Sequence, residues 1–225
     1  MQYNELTQIQ AMIIEFQTKA ESNKRRHKDF LRLDKPVRFL KFLQMMDDFS
    51  IFPFKKTGNP HFKIEITMNF NETWGEKVKQ FLKLAEKHGV RMLLVGGGAV
   101  NFHGYQRHSA DVDFWIDTSS ENLKNLLLVV NDMGYQLNDF PVEVKNREQN
   151  ISIKFTPSDY DLELITSFSS EITFEEAWAK GEKLEIGGQV LYKVLSFDHL
   201  IESKLKSQRP KDLLDVQELR RLRKT

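Results

Sequence analysis

The chain contains no cysteine. That absence removes disulfides, thiol nucleophiles and cysteine-ligated metals from its chemistry, and it suits a reducing compartment. No stretch reaches the ~18 apolar residues of a spanning helix. The N-terminal Met-Gln-Tyr-Asn-Glu-Leu-Thr-Gln also lacks a basic segment followed by an apolar one, so a cytoplasmic protein with no membrane partner is expected. An excess of one charge is missing too. Lys and Arg number 33 against 32 Asp and Glu, so only local clusters can attract nucleic acid or anionic lipid. There is no G-x-x-x-x-G-K-[ST] loop, and Gly96-Gly97-Gly98-Ala99-Val100-Asn101 satisfies only the first two glycines of G-x-G-x-x-G, with no β-α-β unit ending in an acidic residue after it. P-loop and dinucleotide-binding chemistry are therefore unsupported. What remains is a 225-residue chain with 40% hydrophobic and 29% charged residues, which fits one substantial core, or one domain plus an extension.

Residues 92 to 117 carry the distinctive chemistry. Met92 to Val95 read as a short buried strand entering Gly96, Gly97 and Gly98, a tight turn where backbone can approach a ligand closely. Ala99 to Phe102 then open a helix that Gly104 ends, with backbone N–H groups at its start able to face an anion. After a polar loop, Val112, Phe114 and Ile116 alternate with Asp111, Asp113 and Trp115 at the period of a strand, so both carboxylates share one face. Such a pair can hold one hard cation, or bridge two, while phosphates and water complete an oxygen shell. On a purely structural reading, the acids sit on a solvated edge and the glycines only make a turn.

Upstream, Ile9, Met12, Ile13, Phe16 and Ala20 predict an amphipathic helix over 4 to 21. Lys24-Arg25-Arg26-His27-Lys28 is a basic run able to meet RNA or DNA phosphates. One short cluster without interleaved aromatics is, however, more often a solvated helix end or loop. Asp34 and Pro36 begin a helix through Val37, Leu40, Leu43 and Met46. Phe62, Ile64, Ile66, Met68 and Phe70 alternate as a half-buried strand after a turn at Gly58-Asn59-Pro60. Thr73 and Glu76 form a capping box for a helix with Val78, Phe81, Leu82 and Ala85 inward and Gly89 as its stop.

Downstream, a second capping box, Thr118 to Glu121, starts a helix with Leu123, Leu126, Leu127 and Val130 inward and Gly134 at its end. Residues 135 to 150 read as a loop with strand character at Val142 and Val144. Ile151 to Phe155 and Tyr160 to Ile165 read as two strands joined by a hairpin turn. Asp161 and Glu163 share one side of the second, so either can join the Asp111 and Asp113 pair. Thr173 and Glu176 cap a helix through Ala177 and Trp178, and Gly187-Gly188 turns into a strand from Gln189 to Val194. Ser196 caps a helix bearing Leu200, Ile201 and Leu205, and Pro210 starts a last one with Leu213, Leu214, Val216 and Leu219 inward.

Gly96, Gly97, Ala99, His103, Gly104, Arg107, Ser109, Asp111 and Asp113 trace GG-x-A-x-x-x-HG-x-x-R-x-[ST]-x-D-x-D. This pattern resembles the nucleotidyltransferase superfamily, in the form found in small bacterial nucleotidyltransferase-like proteins that include relatives of abortive-infection toxins. Ala110 stands where many members have Thr or Ser, and Gly98 where a larger residue is common. Leu162-Glu163-Leu164-Ile165-Thr166-Ser167 is similar to the family's apolar-Asp-apolar-apolar-Thr-Ser, which places the third carboxylate at Glu163, a Glu for the usual Asp, with Asp161 as the alternative. Lys204, Arg209, Lys211, Asp212 and Asp215 look like the family's K-x-x-x-x-R-x-K-D-x-x-D ending, whose basic residues lie near the nucleotide tail. A charged surface helix with intrahelical pairs is the competing account.

The resemblance implies an α/β (α+β) nucleotidyltransferase-like mixed sheet flanked by helices. Its domain would span 59–195, with a helical extension over 1–58 and C-terminal helices over 196–225. It also implies transfer of a nucleoside monophosphate from an NTP to a hydroxyl on protein, RNA or a small molecule, with release of pyrophosphate. Asp111, Asp113 and Glu163 are then the catalytic and metal residues for one or two Mg²⁺ ions, or Glu163 takes the acceptor's proton. Gly96, Gly97, Gly98, Arg107, Ser109 and Lys204 are the nucleotide contacts. Arg107 can grip phosphate bidentately, or pair with Asp111 and position the loop. His103 is read first as a structural hydrogen-bonding residue and second as a ligand or base. Two further readings are a nucleotide- or partner-binding module without turnover, and a toxin-antitoxin component with an antitoxin partner.

Overall fold

Seven strands form one mixed sheet in a computed structural model of the chain, which describes residues 19–49, 61–68, 72–109, 111–156, 158, 160–168, 171–186 and 189–224. The strands are β1 (Phe62–Thr67), β2 (Met92–Leu94), β3 (Asp111–Ile116), β4 (Ile151–Thr156), β5 (Asp161–Ile165), β6 (Glu182–Ile186) and β7 (Gln189–Val194). Their spatial order is β1-β4-β5-β3-β2-β7-β6. The helices among the described residues are α1 (Lys19–Leu31), α2 (Lys35–Phe49), α3 (Trp74–Lys87), α4 (Gly96–Phe102), α5 (Ser120–Asp132), α6 (Val142–Lys145), α7 (Phe174–Lys180), α8 (Phe197–Ser207) and α9 (Pro210–Arg223). The expected α+β architecture, a mixed sheet flanked by helices, is the one observed. No helix among these residues is long and apolar enough to cross a membrane. Most of the helix expected over 4 to 21, the turn at 58–60 and the strand's end at Phe70 lie outside the described residues.

The central strands are set by apolar alternation. Val112 and Phe114 on β3 and Leu162 and Leu164 on β5 are fully buried, which leaves Asp111, Asp113, Asp161 and Glu163 on the opposite face. β3 and β5 run parallel, with Asp113 beside Glu163 and Asp111 beside Asp161. β4 and β5 are the expected antiparallel pair. On the other side, β2 pairs antiparallel with β3 and parallel with β7. The capping boxes at Thr73 and Glu76 and at Thr173 and Glu176 both form. His88 is the C-cap of α3, and Gly89 follows at φ +67°, a left-handed conformation that glycine adopts without a Cβ clash. Phe39, Phe42, Leu43 and Met46 of α2 join the same buried cluster as the sheet.

Several expectations are corrected. The helix after β2 starts at Gly96, so all three glycines lie inside α4 rather than in a turn before it. Helix α5 is capped by Ser119, whose hydroxyl accepts from the Asn122 N–H, because Thr118 Oγ1 instead accepts from Arg147 Nε. Residues 142–145 form α6 within what was expected to be a loop with strand character: Pro141 C=O accepts from the Val144 and Lys145 N–H groups, closing a helical turn. β6, absent from the sequence reading, pairs antiparallel with β7; only Leu184 and Ile186 among its residues are apolar, too few for the alternation to stand out. Val37 and Leu205 lie on the helices expected there, on their exposed faces.

The largest correction is in α9. Leu213 and Leu214 are 46% and 49% exposed, while Asp212 and Asp215 are 1% exposed and share the inner face with Val216 and Leu219. Helical phase allows only one of the two sets to face inward, and ion pairing decides which. Lys204 Nζ of α8 lies 2.8 Å from Asp212 Oδ1 and 2.7 Å from Asp215 Oδ2. Removing one partner of such a buried group strands the others. Lys204→Met is expected to lower unfolding free energy by about 3 kcal/mol in urea titrations followed by circular dichroism. Leu214→Ala, on the exposed face, should cost under about 1 kcal/mol.

Candidate active site

Three carboxylates converge on the polar face of the sheet. Potential ligand oxygens of Asp111, Asp113 and Glu163 all lie within 4.8 Å of one another. The pairing of β3 with β5 produces this, since partners side by side in neighbouring strands point to the same face. Asp161, in register with Asp111, is not a member of the group. Burial raises the Asp113 pKa to about 8, with the Asp111 and Glu163 charges adding to the rise and Lys211 and Lys204 opposing it. This is a cluster with negative charge in excess, built wholly of oxygen donors.

The glycines meet it in different ways. Gly96 has φ +55°, and a Cβ on it would fall 1.9 Å from Asp113 Oδ2, so both the backbone and the space demand glycine. A Cβ on Gly97 would fall 2.5 Å from Ser109 Oγ and 3.2 Å from Arg107 Nη1, and one on Gly98 would meet Leu94 at 2.8 Å. Gly96 thus faces the acids, Gly97 the following loop, and Gly98 the sheet. Ser109 Oγ reaches Asp111 Oδ1 at 3.5 Å. Asn101 ties the turn to the loop: its Nδ2 donates to the Gly97 and Arg107 carbonyls, and its Oδ1 accepts from the Arg107 N–H.

Glu163 is anchored by residues that the sequence reading missed. Asn150 Nδ2 donates to its Oε1 at 3.2 Å, and His61 Nε2 lies 3.2 Å from the same oxygen. Asn150 Oδ1 in turn accepts from the Thr166 N–H. Asn150 and Thr166 sit at the ends of β4 and β5, which explains the role of the threonine in the 162–167 motif. No local pattern marks His61, which enters from the start of β1. A polar residue in an apolar helix, Asn101, was the one readable signal.

The basic candidates occupy a buried ionic network. Arg107 grips Asp215 bidentately, at 2.7 Å through Nε and 2.9 Å through Nη2, and its Nη1 donates to the His108 carbonyl. Its partner is therefore Asp215 and not Asp111. Lys204 bridges Asp212 and Asp215. Asp212 also accepts from Ser207 and Arg209. Burial works against its ionisation, but these hydrogen bonds and the Lys204 charge outweigh it and lower its pKa to about 2. His103 Nε2 contacts the Leu195 carbonyl at 2.8 Å, and burial lowers its pKa, which fits the structural reading.

A cavity of about 260 Å³ is lined by Lys204, Ser207, Arg209 and Asp212 and by two neighbours of the acids, Gly96 beside Asp113 and Asn150 bonded to Glu163. A second of about 420 Å³ shares Ser167 and Phe168 with it, and Phe168 stacks on Trp115 there.

The raised Asp113 pKa has a consequence for stability. Because the folded chain holds this proton more tightly than the unfolded chain, whose value is near 3.8, the stabilisation is full at low pH and fades as pH climbs through about 8. In chelator, melting temperature should fall over that range, and Asp113→Asn should flatten the fall. A wild-type profile no steeper than that of the variant would refute the coupling.

Comparison with known sequences agrees with this geometry. No curated protein matches the chain. Residues 75–225, which run from α3 through the acids to the C-terminal helices, match the model of a family described as "Nucleotidyl transferase of unknown function (DUF2204)". The matched span covers well over half of the chain and includes the glycines of α4, all three carboxylates and the ionic network, and the chain belongs to this nucleotidyl transferase family.

Proposed function

We propose that the protein transfers a nucleoside monophosphate from an NTP to an acceptor hydroxyl and releases pyrophosphate. The observation that carries this reading is the convergence of Asp111, Asp113 and Glu163 beside a glycine that leaves no side chain between them and the adjoining cavity.

The donor set suits Mg²⁺. Three carboxylates form a hard oxygen site, and the negative charge of Asp111 and Glu163, which adds to burial in raising the Asp113 pKa, is what a divalent cation would neutralise. Asp111, Asp113 and Glu163 are the residues that would hold it. When bound, Mg²⁺ supplies positive charge against the triphosphate and against the charge that develops in an in-line displacement.

The remaining work falls to the chain's own residues. The two adjoining cavities offer space for triphosphate near Lys204 and Arg209 and for the nucleoside along Phe168, and only the two taken together have room for a whole nucleotide. The acceptor oxygen forms a bond to the α-phosphorus as the bond from that phosphorus to the bridging oxygen breaks, and pyrophosphate departs with the electron pair. The hydroxyl proton passes to the Glu163 carboxylate, which His61 and Asn150 hold in one orientation. Such positioning lowers the entropic cost of bringing acceptor and donor into line. Arg107 and Lys204 act mainly by fixing the loop and α9 in place.

Two measurements test the reading. NTP binding by calorimetry should require Mg²⁺, because unscreened carboxylates repel the triphosphate. With labelled NTP, Mg²⁺ and cell lysate, transfer of label should fall by orders of magnitude in Asp113→Asn while the melting temperature stays level or rises. Label transfer that persists in a destabilised variant would remove Asp113 from the chemistry.

A further inference from the structure

The basic run in α1 reaches a second site that the chemistry above does not use. A cavity of about 650 Å³ lies between α1, α2, the loop joining α4 to β3, and α9. Arg26, Arg107 and Arg221 line it together with His27, Tyr105 and His108, and no residue lining it is acidic. Asp215 holds Arg107 and Glu218 holds Arg221 through Nε and Nη2, but neither carboxylate belongs to the lining. Arg107 and Arg221 thus reach the cavity ion-paired and fixed in place.

The rings supply what the linear sequence lacked. His27 and Tyr105 stand with centroids 6.2 Å apart at 56°, one from α1 and the other from the loop after α4. Burial, reinforced by Arg221 and opposed by Glu218, lowers the His27 pKa. Its Nε2 is buried without a hydrogen-bond partner. A basic groove floored by aromatic rings is the arrangement with which proteins hold single-stranded nucleic acid. A phosphopeptide would use the guanidinium groups but has no need of the rings.

We propose that this cavity binds single-stranded nucleic acid, phosphates against Arg26 and Arg221 and a base against Tyr105 and His27, and presents its hydroxyl to the carboxylate site. The acceptor role rests on the nucleotidyltransferase reading, whereas the binding itself does not. The two sites are close. Arg107 lines the cavity, and its Nη1 would lie 3.2 Å from a Cβ on Gly97. His108 is joined to Asp111 by three residue steps, at most ~11 Å of extended chain. The cavity also combines the matched loop and α9 with α1 and α2, which lie outside the matched span.

Fluorescence anisotropy with a labelled oligouridylate, oligothymidylate, an RNA duplex and inorganic polyphosphate tests the proposal, with Mg²⁺-dependent ATP binding measured by calorimetry on the same full-length preparations. The single strands should bind best. The double variant Arg26→Gln/Arg221→Gln should weaken them about tenfold or more and reduce the slope of log affinity against log salt by about 1.4. Tyr105→Ala should cost about tenfold and Tyr105→Phe little, with circular dichroism confirming the fold and ATP affinity unchanged in every variant. Oligonucleotide affinity unchanged in the double variant overturns the proposal, as does polyphosphate binding as tightly as the strands with Tyr105→Ala silent. Strand binding at this cavity without any ATP binding would sink the catalytic reading and leave the cavity's assignment standing. ATP binding without strand binding would do the reverse.

Discussion

Asp111, Asp113 and Glu163 are held together against their own repulsion, and the sheet is what holds them. The parallel pairing of β3 with β5 sets the register, and the apolar residues between the acids enforce it: Val112, Phe114, Leu162 and Leu164 are fully buried. A slip of one residue would drive the carboxylates into the core and the apolar side chains out, which makes the register costly to change. The electrostatic cost is concentrated on Asp113, whose pKa rises to about 8 under burial and the neighbouring negative charges. Gly96 completes the arrangement, since any side chain there would occupy the position of the Asp113 carboxylate.

A second group of charges obeys the opposite logic. Arg107, Lys204, Asp212 and Asp215 alternate in sign and neutralise one another within a few ångströms. Buried pairing of this kind adds little net stability compared with an apolar core, but any one member becomes expensive to remove. Its effect here is geometric: the loop that leads into β3 is fastened to α8 and α9, so the acids and the helices that border their cavity share one frame. The same fastening places Arg107 on the wall of the larger basic cavity, so one residue links the two sites.

Much of this was legible in the sequence where physics is local. The alternation around Asp111 and Asp113 and around Glu163 announced two strands with acids on one face, as observed. Thr73 with Glu76 and Thr173 with Glu176 announced helix starts, because a capping box is made within four residues. Thr118 misled because its hydroxyl was claimed by Arg147 from another part of the chain. The leucines of α9 misled because helical periodicity alone assigns apolar residues inward and knows nothing of a lysine waiting on α8.

The division is clearest at the candidate site itself. By itself the sequence determined every strand but β6, most helix starts, the glycines and the paired acids, since each depends on residues only a few positions apart. Tertiary structure alone decided which charges meet. Arg107 finds Asp215 across 108 positions and His103 finds the Leu195 carbonyl across 92, while His61 and Asn150 reach Glu163 only because β1, β4 and β5 lie side by side. Such pairings leave no periodic trace, because they follow from the packing of whole elements, and packing is selected by the burial of apolar surface over the entire sheet rather than by the residues that finally touch.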